Sequence, residues 1–88
     1  MKLSDIVNGL TGVLQSSSDK AAAIAKTALD ATNQLKSGAL TQSEYKEIIV
    51  DLQTEQLVRL EAEDLEQKEA LYRLFVNISQ AASILTAL

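Results

Sequence analysis

Histidine, cysteine, proline and tryptophan are all missing from these 88 residues, and glycine occurs three times. Without histidine the chain lacks the commonest general base and metal ligand, and no serine or threonine has an imidazole to activate it. Without cysteine there is no disulfide, no thiolate metal site and no thiol nucleophile. The scarcity of proline and glycine leaves long helices permitted and tight β-turns unencoded. Two tyrosines and one phenylalanine offer little stacking surface, and a net charge of −4 supplies no attraction for phosphates. No catalytic, cofactor-binding or metal-binding residues are therefore expected, nor an enzyme, a cofactor, a small-molecule substrate or a nucleic-acid partner.

Long apolar runs are missing too. Met1, Lys2 and Leu3 are followed at once by Ser4 and Asp5, so no apolar leader follows the start. The longest uncharged stretch, Leu74 to Leu88, has 15 residues and is interrupted by Asn77, Ser79, Gln80 and Ser83. Crossing a bilayer takes roughly 20. The expectation is a chain with no membrane span, cytoplasmic, with a virion or a secretion apparatus as the other setting.

What is present is helical. Apolar residues make up 47% of the chain, mostly Ala, Leu, Ile and Val. Such composition argues against disorder and suits close helix–helix contact. The strongest local signal lies at residues 36–45. Gly38 can take the left-handed conformation that closes a helix, with Lys36 favourably placed at its C-terminal end. Thr41 and Glu44 have capping-box spacing, and Leu40 and Tyr45 occupy the two positions of a hydrophobic staple. These cues predict a turn at 37–41 between a helical half at 3–36 and another at 42–88.

In the first half, apolar or small residues alternate by fours and threes: Leu3, Val7, Leu10, Leu14, Ser17, Ala21, Ile24, Ala28, Ala31 and Leu35. Ser16, Ser17, Ser18 and Asp19 could start a new helix within that run, Ser16 and Asp19 having capping-box spacing. The second half contains neither glycine nor proline and, if continuous, is a helix of about 70 Å. It carries two apolar faces. One runs through Tyr45, Ile49, Leu52 and Leu60, then as a strict heptad through Leu71, Leu74, Ile78, Ala81, Leu85 and Leu88. The other holds Val58, Ala62, Leu65, Tyr72 and Val76. Supporting charge pairs stand at four-residue spacing: Glu55 with Arg59, Asp64 with Lys68, Glu69 with Arg73.

Two all-α architectures follow. In the first, one domain folds back at Gly38 as an antiparallel helical hairpin. Leu3 then falls opposite roughly Phe75, and residues 76–88 overhang as an association segment whose interface is Leu71, Leu74, Ile78, Ala81, Leu85 and Leu88. In the second, breaks near 15–18 and 63–67 turn the same stripes into the core of a compact three- or four-helix bundle, with Asp64 able to cap the later break. Glu61, Glu63, Asp64, Glu66 and Glu69 form an acidic cluster that lacks the histidines of a di-metal bundle site and reads as a solvated helix face.

The function expected is non-enzymatic: a helical interaction or assembly subunit, a homo-oligomer associating through the C-terminal heptad. The alternative is a small acidic adaptor, chaperone or inhibitor that binds a different protein through a helix face. In length and in a hairpin with a longer second helix, the first architecture resembles the small subunits of secretion needles, although their proline-bearing turn is missing here. That resemblance implies an assembly role. Small virion-associated phage proteins match in size and composition.

Overall fold

The computed structural model describes residues 1–16, 18–61 and 64–85. Its helices are α1 (Leu3–Leu14), α2 (Asp19–Lys36), α3 (Gln42–Asp51) and α4 (Leu65–Gln80). A π-helical turn, Leu52–Gln56, and a 3₁₀ turn, Leu57–Arg59, follow α3 directly. The fold is an all-α bundle, the second of the two architectures. The extended hairpin is not what forms: the largest dimension is 36 Å, about half the length of an unbroken second helix. The radius of gyration, 12.1 Å, is what a compact chain of this length should have.

The first break falls between Leu14 and Asp19. Ser18, in extended conformation, is the N-cap of α2, and its hydroxyl accepts from the Ala21 amide at 3.2 Å. The cap is thus Ser18 and not Ser16. Ser16 Oγ is instead buried without a hydrogen-bond partner. Bending here allows α1 to lie along α2, the most extensive helix pairing in the molecule. On α2 the expected stripe is buried as read: Ala21, Ile24, Ala28, Ala31 and Leu35. On α1 the buried face is Leu3, Ile6, Leu10 and Val13, while Val7 and Leu14 are half-buried. The face is rotated by about one residue because α1 is a separate helix, free to choose its own angle.

The corner after α2 is built from local chemistry. Gly38 has φ +84°, the Ala39 amide donates to the Gln34 carbonyl at 2.9 Å, and the Gly38 amide donates to Leu35 at 3.2 Å. This is the paired bonding of a Schellman motif. Thr41 then accepts from the Glu44 amide at 3.1 Å, and the Glu44 carboxylate accepts from the Thr41 amide at 3.0 Å, completing the capping box. Behind the corner Tyr45 is fully buried, with its hydroxyl 2.7 Å from Thr32 Oγ1. Thr32 donates its single proton to the Ala28 carbonyl at 2.7 Å, so Tyr45 is the donor to Thr32.

The second break has another origin. Tyr45, Ile49 and Leu52 follow helical spacing, but three and four residues past Leu52 stand Glu55 and Gln56. The next apolar residue, Leu57, is five on. A π turn brings residues five apart onto one face, and the Leu57 amide donates to the Leu52 carbonyl accordingly. Leu60 comes three later, and a 3₁₀ turn aligns residues at that spacing. Its amide donates to Leu57 at 3.2 Å. All three leucines are buried. The chain distorts its helix to keep leucine inside, then extends at Leu60.

α4 returns across α1 and α3. Its inner face, Leu71, Phe75 and Ile78, is fully buried among residues of all the earlier elements. Gly9 on α1 makes room for Leu74, whose Cδ2 lies 3.1 Å from where a β-carbon would stand. After Gln80 the chain extends as a strap. Ile84 is buried, and its amide and carbonyl are clasped by the Gln42 side chain at 2.9 and 2.8 Å. The Leu85 carbonyl accepts from the Leu3 amide at 2.9 Å, the Leu85 amide donates to Met1, and Lys46 donates to the Ala81 carbonyl. No side chain caps α1, so the strap supplies an acceptor for its first amide. The expected overhang past residue 76 is therefore replaced by a segment that closes the bundle.

Candidate interaction surface

The core takes up part of the expected association interface. Leu71 and Ile78 are fully buried inside their own chain, Leu74 packs half-buried against Gly9, and Ala81 is half-buried at the start of the strap. Leu85 keeps 54% of its surface exposed, while its backbone is pinned to Met1 and Leu3. Leu88 lies outside the described residues. The heptad, expected as an interface between chains, is at Leu71 and Ile78 a seam within one chain, on a helix that packs mainly against α1 and α3.

The second apolar face is distributed differently. Leu65 and Tyr72 are 54% and 53% exposed, and Val76 is half-buried. All three sit on α4. At about 100° per residue they fall within about 40° of one another, forming a line along one side of the helix, roughly 110° round from the core face. Val58 is 61% exposed but stands on the 3₁₀ turn, across the break from α4, so it does not extend this line. Ala62 lies outside the described residues. Large apolar side chains more than half exposed, in a row on one helix, are the kind of surface that marks a contact site.

Charged groups flank the row. Leu65, Lys68, Glu69, Tyr72 and Arg73 together line a shallow groove of about 290 Å³. By helical angle Glu69 and Arg73 lie on one flank and Lys68 on the other. None of the three expected four-residue pairs closes; among the described residues the ion pair is Lys20 with Glu61, at 3.2 Å and with both side chains more than half exposed. For Glu55 and Arg59 the reason is geometric, since the π and 3₁₀ turns change the offset between them. Sequence reasoning assigned Glu69 and Arg73 to helix support and missed that they border the apolar row. Their positions, one residue beside Tyr72 and one turn from Leu65, were the available signal.

Elsewhere the molecule offers less. Among the described residues no three acidic side chains gather in a way that could hold a metal ion, and Glu63 of the acidic cluster lies outside them. Asp64 is buried at the start of α4 but makes no side-chain cap bond; its amide donates to Glu61. A second groove, between α2 and the 3₁₀ turn, is lined by Lys20, Ile24, Gln56, Arg59 and Leu60. Two titratable groups are displaced. Burial pushes the Tyr45 phenol up, against a smaller opposing effect of the Thr32 hydrogen bond. The bonds from the Thr41 backbone and side chain hold the Glu44 carboxyl below its ordinary value. Both belong to the corner at Gly38 and serve its geometry.

No helix of the described residues is long and apolar enough to cross a membrane. Scanned against protein-family models, curated proteins and solved structures, the chain matches none.

Proposed function

We propose that this protein is a non-enzymatic helical interaction module that docks another polypeptide on the outer face of α4. The observation that carries the reading is the exposed row of Leu65 and Tyr72, continued by Val76, on a helix whose core face is already fully engaged. Burying Leu65 and Tyr72 against a partner helix would remove from water apolar surface worth roughly 25 cal/mol per Å². The flanking Lys68, Glu69 and Arg73 would stay at the rim, where charges select partners more than they add affinity. Helix-on-helix docking of this kind uses anchors at the spacing of seven and four residues seen here.

The test is site-specific photo-crosslinking in the native cell, with a photoreactive phenylalanine analogue at Tyr72 and, as control, at Lys26 on the exposed side of α2. The reading expects one discrete adduct from position 72 that the control does not give. Equal labelling from both positions, or none from position 72, would remove it.

A further inference from the structure

We propose that the partner seated on α4 is a second copy of this chain, packed antiparallel about a twofold axis that crosses the outer face of α4 at the level of residue 71. This inference rests on the reading of α4 as a docking face and names its occupant. The face is complementary to itself.

An axis perpendicular to two antiparallel helices keeps each flank of one helix beside the same flank of the other. Glu69 and Arg73 share a flank, at about 40° and 80° from the Leu65 line by helical angle. In such a pair Glu69 therefore meets the partner's Arg73, and Arg73 meets the partner's Glu69. Two opposite-charge contacts close the same rim. At that register Leu65 stands level with the partner's Val76, and Tyr72 meets the partner's Tyr72 at the axis. The charged contacts, the aliphatic contacts and the tyrosine contact are all centred within about one residue of Leu71 along the helix. Apolar matching and charge matching thus select one register independently.

Among the described residues no ion pair competes for these groups: Glu69, Tyr72 and Arg73 are exposed, and neither Glu69 nor Arg73 is engaged in one. Exposed Glu66 stands farther round the same flank, at about 100°. Lys68 falls on the other flank, at about 60° from the Leu65 line, and is half-buried in the monomer. The contact is isologous, the commonest symmetry of self-associating proteins, and it closes at two copies. Since it uses one helix face, it belongs with the small interfaces below about 1,200 Å². An interface of that size is expected to associate weakly, at a strength that area alone does not set.

Charge exchange across two variants tests the arrangement. Glu69→Arg makes positions 69 and 73 both positive, and Arg73→Glu makes both negative. Each variant alone should dimerise at least ~10-fold more weakly than the parent in sedimentation equilibrium, about 1.4 kcal/mol. Their equimolar mixture should regain parental association, because only an intermolecular contact can pair one variant's charge with the other's. Circular dichroism checks that both variants keep their helix content, as surface positions should. Should either fail to fold, a second measurement decides. The chain has no cysteine, so Tyr72→Cys introduces a single thiol. The axis then places two thiols face to face, and mild oxidation should yield a disulfide-linked dimer under conditions where Lys26→Cys stays monomeric.

A parent chain that still sediments as a monomer at ~1 mM overturns the proposal. So does a mixture that behaves as the sum of its two components. The docking reading would survive either result if the crosslink from Tyr72 joins a different polypeptide. It would fall with the proposal if that position yields no adduct at all.

Discussion

The chain leaves helical geometry at two places that could hardly be built more differently. At residues 36–42 every departure has a local author. Gly38 takes a positive φ, the Gln34 and Leu35 carbonyls are satisfied by the Schellman bonds, and Thr41 and Glu44 cap each other's amides. At residues 52–60 no glycine, proline or capping side chain intervenes. There the helix widens and then tightens because its leucines stand five and three apart. The first corner would be favoured in an isolated peptide. The second exists only because a core is available to receive Leu57 and Leu60. Local chemistry and burial are alternative ways to end a helix, and they should fail differently.

The largest effect is expected at the second break. Leu57 is 1% exposed, and Leu57→Ala should cost about 2–5 kcal/mol in chemical denaturation, as deletion of a buried leucine does. A rescue sharpens the comparison. Adding Gln56→Leu to Leu57→Gln would place leucines at Leu52, position 56 and Leu60, four apart. A regular α-helix could then bury all three. The double variant should be more stable than Leu57→Gln alone and should lose the π turn, read as a shift of the residue-57 amide in NMR. If the double variant is the weaker of the two, the leucine spacing is not what widens the helix.

This contrast also explains what could be read from sequence. Gly38, Thr41 and Glu44 advertise their corner because each acts on neighbours within five residues. The heptad through Leu71 and Ile78 was legible as a seam for the same reason, periodicity being a property of one segment. What covers a seam is not. Whether Ile78 meets another chain or its own α1 depends on the break after α3, which leucine spacing makes and no cap announces: Asp64, expected to cap a break near 63–67, makes no side-chain cap bond. Likewise nothing near Ile84 in sequence foretells that Gln42 will clasp its backbone from 42 residues away. The outer row of Leu65, Tyr72 and Val76 was visible as a second stripe, and its exposure became decidable only once the inner stripe had its partners.

A smaller effect separates the first corner's tertiary anchor from its local bonds. Tyr45 ties α3 to α2 through Thr32, and Thr32 keeps its bond to Ala28 if the phenol is removed. Tyr45→Phe therefore strands no buried polar proton and should cost about 0.5–1.5 kcal/mol at neutral pH. Its pH dependence is more telling. The folded phenol is raised above the ordinary 10.0. Below pH 10 both states hold the proton and stability is flat. Above it the unfolded tyrosine ionises while the buried one does not, so stability falls as pH rises toward the folded value. That alkaline loss should be reduced in Tyr45→Phe, measured by thermal unfolding between about pH 9 and 11. An unchanged alkaline limb would mean that this phenol is not the group being titrated.

The smallest effect lies in the capping box, and it has the opposite sign. The Glu44 carboxyl is held below its ordinary 4.5 by the Thr41 bonds, while the residue itself is solvent-exposed. A lowered value in the folded state means that the stabilisation is complete above the unfolded value. It is lost as pH falls through the folded one. Glu44→Gln keeps an acceptor for the Thr41 amide but removes the charge. The variant should therefore be slightly less stable than the parent at pH 7 and should converge with it at acid pH. Solvent and salt screen such an exposed group, so the gap should also narrow as ionic strength is raised. Leu57→Ala, measured in parallel, should show a deficit that neither acid nor salt closes, because a cavity has no charge to titrate. If both variants respond alike, the two breaks do not differ in the way their bonding implies.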